Sequence, residues 1–412
     1  MTPPSVPPAL ATLPALYGPR FQNEPARLYR EMREQYGPVA PVLLEGGVPA
    51  WLVLGYRELL HVTNNPELFA RTSRHWHGWS RVSPDWSLRP YVEYQPSSIL
   101  SDAEEHRRLS PALHEALTAV DQVELSTQVE QIADRLIDMF APRGEADLIA
   151  QYTHQIPLLV LAKLFGLPDA EAPELVRDVA ASADEGDEAV RAHERIVARM
   201  LRLVRDKRVR PGEDLPSRIL SHPVVELTDE QIATDLFLTM GAAQLTTADW
   251  MGNALRLMFT DDRFAATLAG GRRSVRQALN EVLWEETPTQ NFIGRFATRE
   301  THLAGRRIHT GDLVVLGLAA ANTDPLVHPE PGRGSADNQA HMSFSHGEHG
   351  CPYPAQEIAA TIVESAIEVL LDRLPDVDLA VAPEALVWRQ SVWMRGLTAL
   401  PVRFTPTCTS GF

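Results

Sequence analysis

HMSFSHGEHGCPYP, at residues 341–354, holds Cys351, one of only two cysteines in the 412-residue chain. A lone cysteine is usually a small buried hydrophobe. Cys351 has a different setting. It ends a loop rich in Gly and His and stands directly before a segment, about 355–372, whose pattern predicts a helix. Backbone N–H groups at a helix start stabilise a thiolate. This is the setting a metal-ligating thiolate requires. Phe344, Gly347 and His349 stand seven, four and two residues upstream of the sulfur.

Outward from this loop, the clearest helix covers about 230–258. Thr228-Asp229-Glu230-Gln231 predicts a capping box at its start. At about 1.5 Å per residue, thirty residues span roughly 45 Å. The sequence DLFLTMGAAQLTTADWMGNALRLM is apolar nearly all round, which predicts a central, buried position. Gly241, Ala242 and Ala243 leave one stretch without bulky side chains, and Thr246 and Thr247 follow. Periodicity alone favours close helix packing there, with a flat surface against a ligand as the other reading. The region 103–285 reads as helical almost throughout. Val39–Leu44 and Ala50–Val53 flank Gly46-Gly47 as a hairpin, and 292–319 and 376–406 read as strands and turns. The chain is therefore predicted to be mainly α with a smaller β part, organised as one domain over 1–412, with a Pro-rich stretch at 1–15.

Composition narrows the function. Acidic residues number 54 and basic residues 38, a net charge of -16. That argues against nucleic-acid binding and against adhesion to anionic membrane. Two cysteines cannot build a disulfide framework or a four-cysteine zinc site. The first twenty residues lack the basic start and apolar run of a secretory signal, and no apolar run of about 20 residues occurs. These features read as a soluble cytoplasmic protein. His75-Trp76-His77 lacks an evident third ligand and reads better as polar loop than as a zinc pair. Trp76, Trp79 and Trp86 read equally well as core packing or as an aromatic substrate mouth.

The motif F-S-x-G-x-H-x-C before a helix resembles the haem-binding loop of the cytochrome P450 superfamily. Further segments resemble that family in the right order along essentially the whole chain. Ala242-Ala-Gln-Leu-Thr-Thr247 is similar to the distal helix over the haem. Asp102-x-x-x-His106-x-x-Leu109 resembles the start of the propionate-binding helix. Glu281-x-x-Trp284 falls where the family has E-x-x-R, Arg295 matches a propionate-pairing strand arginine, and Asn322-Thr-Asp-Pro325 resembles N-R-D-P. The resemblance implies the P450 fold and haem b with Cys351 as axial iron ligand. It also implies haem contacts from His106, Ala242, Ala243, Arg295, Phe344, Gly347 and His349, with Thr246 as the catalytic distal hydroxyl. Cationic donors suit two haem propionates, which accept charge-assisted hydrogen bonds. The implied activity is a monooxygenase of the soluble bacterial class, acting on a natural-product-like small molecule. The implied electron donors are a ferredoxin and a ferredoxin reductase, and the protein is expected to be a monomer.

Several positions depart from the family pattern. Trp284 replaces the arginine of E-x-x-R, and Ala336 stands where its partner arginine is expected, as in a variant actinobacterial group that the chain resembles. Breaking a buried ion pair costs about 3–5 kcal/mol, so Glu281 is expected to find backbone groups or Arg333, with Trp284 filling the volume. Leu245 stands where an acid usually relays protons, and Gln244 or Asp249 is the expected substitute for orienting water. Ser110 replaces a common arginine, and Pro352-Tyr353-Pro354 replaces L-G after the thiolate. These departures motivate a second reading: a haem-thiolate protein that uses peroxide, or binds haem and ligand without the full cycle.

Overall fold

Thr228 caps the longest helix as expected: its hydroxyl accepts from the Gln231 N–H at 3.2 Å, and the Gln231 amide oxygen accepts from the Thr228 N–H at 3.1 Å. That helix runs Asp229–Thr260, close to the sequence boundaries. The computed structural model describes residues 13–84, 86–182, 187–223, 227–262, 264–265, 275–327 and 338–407. Gly186, Arg333, Ala336 and Cys408 lie outside the described residues.

In chain order the helices are α1 (Gly18–Asn23), α2 (Pro25–Tyr36), α3 (Tyr56–Thr63), α4 (Arg89–Val92), α5 (Ala103–Thr118), α6 (Gln122–Phe140), α7 (Gln155–Leu164), α8 (Ala172–Ser182), α9 (Asp187–Val209), α10 (Leu215–Ser221), α11 (Asp229–Thr260), α12 (Val275–Glu285), α13 (Leu318–Asn322) and α14 (Tyr353–Arg373). The strands are β1 (Val39–Leu44), β2 (Val48–Val53), β3 (Phe69–Ala70), β4 (Glu145–Asp147), β5 (Phe292–Ala297), β6 (Thr301–Leu303), β7 (Arg306–Ile308), β8 (Leu313–Leu316), β9 (Asp378–Leu379) and β10 (Pro401–Arg403). The architecture is mainly α with a smaller β part, as predicted.

The expected hairpin forms: β1 and β2 pair antiparallel from Val39↔Val53 to Leu44↔Val48. It belongs to a five-stranded sheet of order β1-β2-β8-β5-β3, in which β2 and β8 run parallel with Leu52 opposite Val315. The register of β5 on β8 shifts between Ile293 and Arg295. Gly294 sits at this bulge with φ +112, a backbone state that L side chains rarely adopt. The large apolar core lies among the helices, with Met251, Leu255, Val282, Val363 and Leu370 buried in it, and α11 packs against α7, α9, α12 and α14. No helix among the described residues is long and apolar enough to cross a membrane.

The tryptophans resolve toward core. Trp76 and Trp86 are 5% and 6% exposed and pack with Leu44, Val48 and Phe296. Their ring centroids lie 5.5 Å apart. The indole N–H of Trp86 donates to Glu45 O at 2.8 Å, and that of Trp79 to Ser73 O at 2.9 Å. Burial with the N–H satisfied stabilises a core tryptophan.

Candidate functional site

The Cys loop is held from several sides. The Cys351 N–H donates to Phe344 O at 2.9 Å, and the Gly350 N–H to Gly347 O at 2.9 Å. Gly347 has φ +76, and a Cβ there would collide with the Thr63 carbonyl oxygen at the end of α3. Only glycine satisfies both constraints. Ser345 also has positive φ, at 58, a state costing an L residue roughly 1–2 kcal/mol. Asn322 ties the loop to α12: its amide donates to Leu283 O at 3.0 Å and its oxygen accepts from the Met342 N–H at 2.6 Å. Ser343 Oγ donates to the same Leu283 carbonyl at 2.6 Å. Phe344 meets Trp250 of α11 edge to face, with centroids 6.0 Å apart.

Trp284 does fill space. It is 3% exposed, its indole N–H donates to Asn338 O at 2.7 Å, and the Asn280 amide donates to the same carbonyl at 3.0 Å. A hydrogen-bonded indole thus links α12 to the segment leading into the Cys loop. The expected Arg333 partner and Ala336 lie outside the described residues.

Cys351 is exposed, yet the protein packed around the sulfur pushes its thiol up to about 12. α11 carries an open stretch. Gly241 and Ala242 are exposed in the middle of a helix that is otherwise largely buried or half-buried, and a Cβ at Gly241 would meet nothing within 4 Å. No other segment therefore packs on Gly241, as close helix packing would require. Ala243 is half-buried beside it.

Thr246 Oγ1 donates to Ala242 O at 2.7 Å within the helix. Its proton is engaged, so its lone pairs remain to accept. Both expected substitutes for the missing acid have partners away from Thr246. The Gln244 amide donates to His154 O at 3.1 Å, and Asp249 pairs with Arg389 at 2.5 Å. Gln244, two residues before Thr246, points to another face of α11, while Asp249, about one turn on, is held by the Arg389 guanidinium.

The basic residues converge. His106 and His349 stack with centroids 4.4 Å apart. His106 Nδ1 donates to Ser98 O at 2.7 Å, which leaves Nε2 to face its other neighbours. Neither ring nitrogen of His349 makes a hydrogen bond, although Nε2 stands 3.6 Å from Asp102 Oδ1, and Nη2 of Arg295 is also buried without one. Each buried unsatisfied polar group costs roughly 1–3 kcal/mol. Burial, then Arg295, His106 and Arg71, push the His349 imidazole down to about 2. Arg295 is 1% exposed, and burial lowers its guanidinium to about 10. These groups fit an anionic ligand edge beside the Cys loop, as a haem with two propionates presents. His106, Arg295 and His349 are thus brought together, while Phe344, Gly347 and Cys351 share the adjoining loop.

Two features escaped the sequence reading. Arg71 is 3% exposed and lies against Arg295. The signal for it was Gly294, since a glycine inside a strand marks a close approach: a Cβ there would collide with the Arg71 guanidinium. The second is Asp235 of α11. Its carboxylate accepts from the Ser98 N–H at 2.6 Å and the Ser98 hydroxyl at 2.9 Å, so it braces the residue that orients His106. Nothing in the sequence distinguishes it from a surface carboxylate.

Burial raises the Asp235 carboxyl from 3.8 to about 7, against the two Ser98 hydrogen bonds that lower it. A raised folded-state value contributes stability fully present below about 4 and lost as pH rises through about 7. Asp235→Asn keeps an acceptor for Ser98 and carries no charge. Its melting temperature relative to the parent is therefore expected to rise between pH 5 and 8. The gain tends toward an upper limit of about 4 kcal/mol at 1.36 kcal/mol per unit. Parallel melting-versus-pH curves would show that Asp235 does not titrate in this range.

Cytochrome P450 107B1 of Saccharopolyspora erythraea is 30% identical over 394 residues, covering 93% of this chain and 96% of that protein. The chain belongs to the cytochrome P450 family. The cytochrome P450 monooxygenase PikC of Streptomyces venezuelae is also 30% identical, over 94% of this chain and 92% of its own. The structure of CYP154C4 from Streptomyces sp. W2061 superposes with a TM-score of 0.85 at 26% identity, covering 97% of this chain and 99% of that one. No protein-family model matches the chain. As a cytochrome P450 it is an oxidoreductase whose cofactor is cysteine-ligated haem, and its fold is the P450 fold.

Proposed function

We propose that this P450 is a monooxygenase that oxidises a natural-product-like small molecule, with Cys351 as the iron ligand and a ferredoxin and its reductase as electron donors. The observation that carries the reading is the cluster of buried donor groups, His106, Arg295 and His349, at the Cys351 loop, with Arg295 Nη2 and the His349 ring nitrogens making no hydrogen bond. Bound haem supplies the activation of dioxygen, which puts one oxygen atom into the substrate and the other into water. The chain supplies the rest. His106, Arg295 and His349 would hold the haem carboxylates, Phe344 would shield the Cys351 sulfur, and Gly347 lets the Cys loop turn. Ala242 and Ala243 keep the opposite face flat. Thr246, its proton on Ala242 O, accepts a hydrogen bond from a water or protonated group on that face and so steadies proton delivery.

Thr246→Ala is expected to lower product formed per NADPH by up to about a hundredfold, the low end of what a placed proton-transfer group contributes, while peroxide-driven turnover falls much less. Equal coupling in both proteins would remove Thr246 from the mechanism. The second reading, a peroxide-dependent haem-thiolate protein, is favoured by Leu245 together with the engagement of Gln244 and Asp249 elsewhere. The same assay separates the two: product that forms with peroxide but never with ferredoxin, reductase and oxygen supports the second.

A further inference from the structure

Arg71 and Arg295 make an unusual pair. Arg71 Nη1 and Arg295 Nη1 both donate to the same acceptor, Gly294 O, at 3.2 and 3.1 Å. Gly294 gives the room: any side chain at the bulge would occupy the Arg71 guanidinium position. The apolar face of Arg71 lies on the Phe292 ring, 4.9 Å from its centroid. The acid that offsets both cations is Asp102. Its carboxylate is already engaged by the backbone N–H groups of Arg71 and Thr72. Two fully buried guanidiniums therefore share one carbonyl and one committed carboxylate. Burial and the neighbouring Arg295 lower the Arg71 guanidinium to about 9. A merely structural cation here would be expensive, since apolar side chains of similar volume stabilise such a position better.

We propose that Arg71 and Arg295 together seat one haem carboxylate, Arg71 supplying from the end of β3 the cation that α5 lacks at Ser110. The inference rests on the haem reading above. Arg295 Nη2, buried and without a hydrogen bond, and the neighbouring Arg71 guanidinium would grip the two carboxylate oxygens, an arrangement suited to planar guanidinium forks. The serine at 110 is then matched by an arginine that approaches from the sheet side.

The test measures release of ferric haem to apomyoglobin from the full-length holoprotein, its Arg71→Gln and its Arg71→Lys variants. Each is loaded either with haem or with haem dimethyl ester, which has no carboxylates. Arg71→Gln is expected to release haem at least tenfold faster and to leave release of the ester unchanged, with Arg71→Lys in between. A variant that folds by circular dichroism and holds the ester but not haem gives the same support. Equal acceleration for both forms, or none for haem, overturns the proposal. If Arg71→Gln does not fold, the ratio of haem to ester release in Arg71→Lys decides in the same way. Failure here leaves the thiolate spectrum of the parent untouched, so it is distinguishable from failure of the haem-thiolate reading.

Discussion

Cys351→Ser is expected to abolish the thiolate signature of the reduced, carbon monoxide-bound protein and to lower monooxygenase turnover more than a hundredfold. Burial alone holds the Cys351 thiol near 12, so without compensation it would stay protonated. A bound cation inverts that preference, because a coordinating thiol is deprotonated outright. The helix start at Tyr353 adds partial positive charge on the same side. Serine keeps the size and the backbone bond from residue 351 to Phe344 O, so the fold should persist. Its oxygen lacks the soft, electron-releasing character of the thiolate. The check is the carbon monoxide difference spectrum together with product formation. A thiolate-type band that survives in the variant would assign the ligand elsewhere.

Gly347→Ala is expected to empty most of the haem site. The residue has φ +76, and its new Cβ would strike backbone, the Thr63 carbonyl oxygen, rather than a flexible side chain. Thr63 cannot easily yield, since its hydroxyl donates to Leu59 O at 3.0 Å within α3. The left-handed backbone costs roughly 1–2 kcal/mol, and the collision adds more. The loop must lift, carrying Cys351 and His349 with it. Gly305→Ala is the control: its φ is +77, yet a Cβ there meets nothing within 4 Å. It pays the backbone cost at a distant turn without the collision. Haem per polypeptide after gel filtration should fall several-fold in the first variant and stay near the parent in the second. Equal haem content in both would show that the Thr63 contact does not position the loop.

Features written in contiguous residues were legible in the sequence. The capping box at Thr228 located α11, Gly46-Gly47 located the β1–β2 hairpin, and the Cys loop announced itself because all its parts lie within fourteen residues. Features made by distant segments were not. β2 pairs with β8 across more than 250 residues, and the short β4 pairs with β10, which no local period encodes. Arg71 reads as an ordinary surface arginine until Gly294 is brought against it. Gln244 and Asp249 stand near Thr246 in sequence, but helical rotation points Gln244 at His154 O, and Asp249 meets Arg389 from a segment 140 residues away. Trp76 and Trp86 show the same limit: aromatic content serves cores and pockets alike, and only packing against Phe296 decided for core.

The central claim is that the Cys351 loop presents a thiolate to haem iron although Trp284 stands where the family's arginine does. The most direct measurement is the difference spectrum of the purified parent protein, reduced and exposed to carbon monoxide. A strongly red-shifted Soret band is the predicted result, and it would mean that Trp284, Asn322 and Ser343 hold the loop well enough to keep the sulfur ionised on iron. A band at the shorter wavelength of histidine or protonated-thiol ligation would contradict the account.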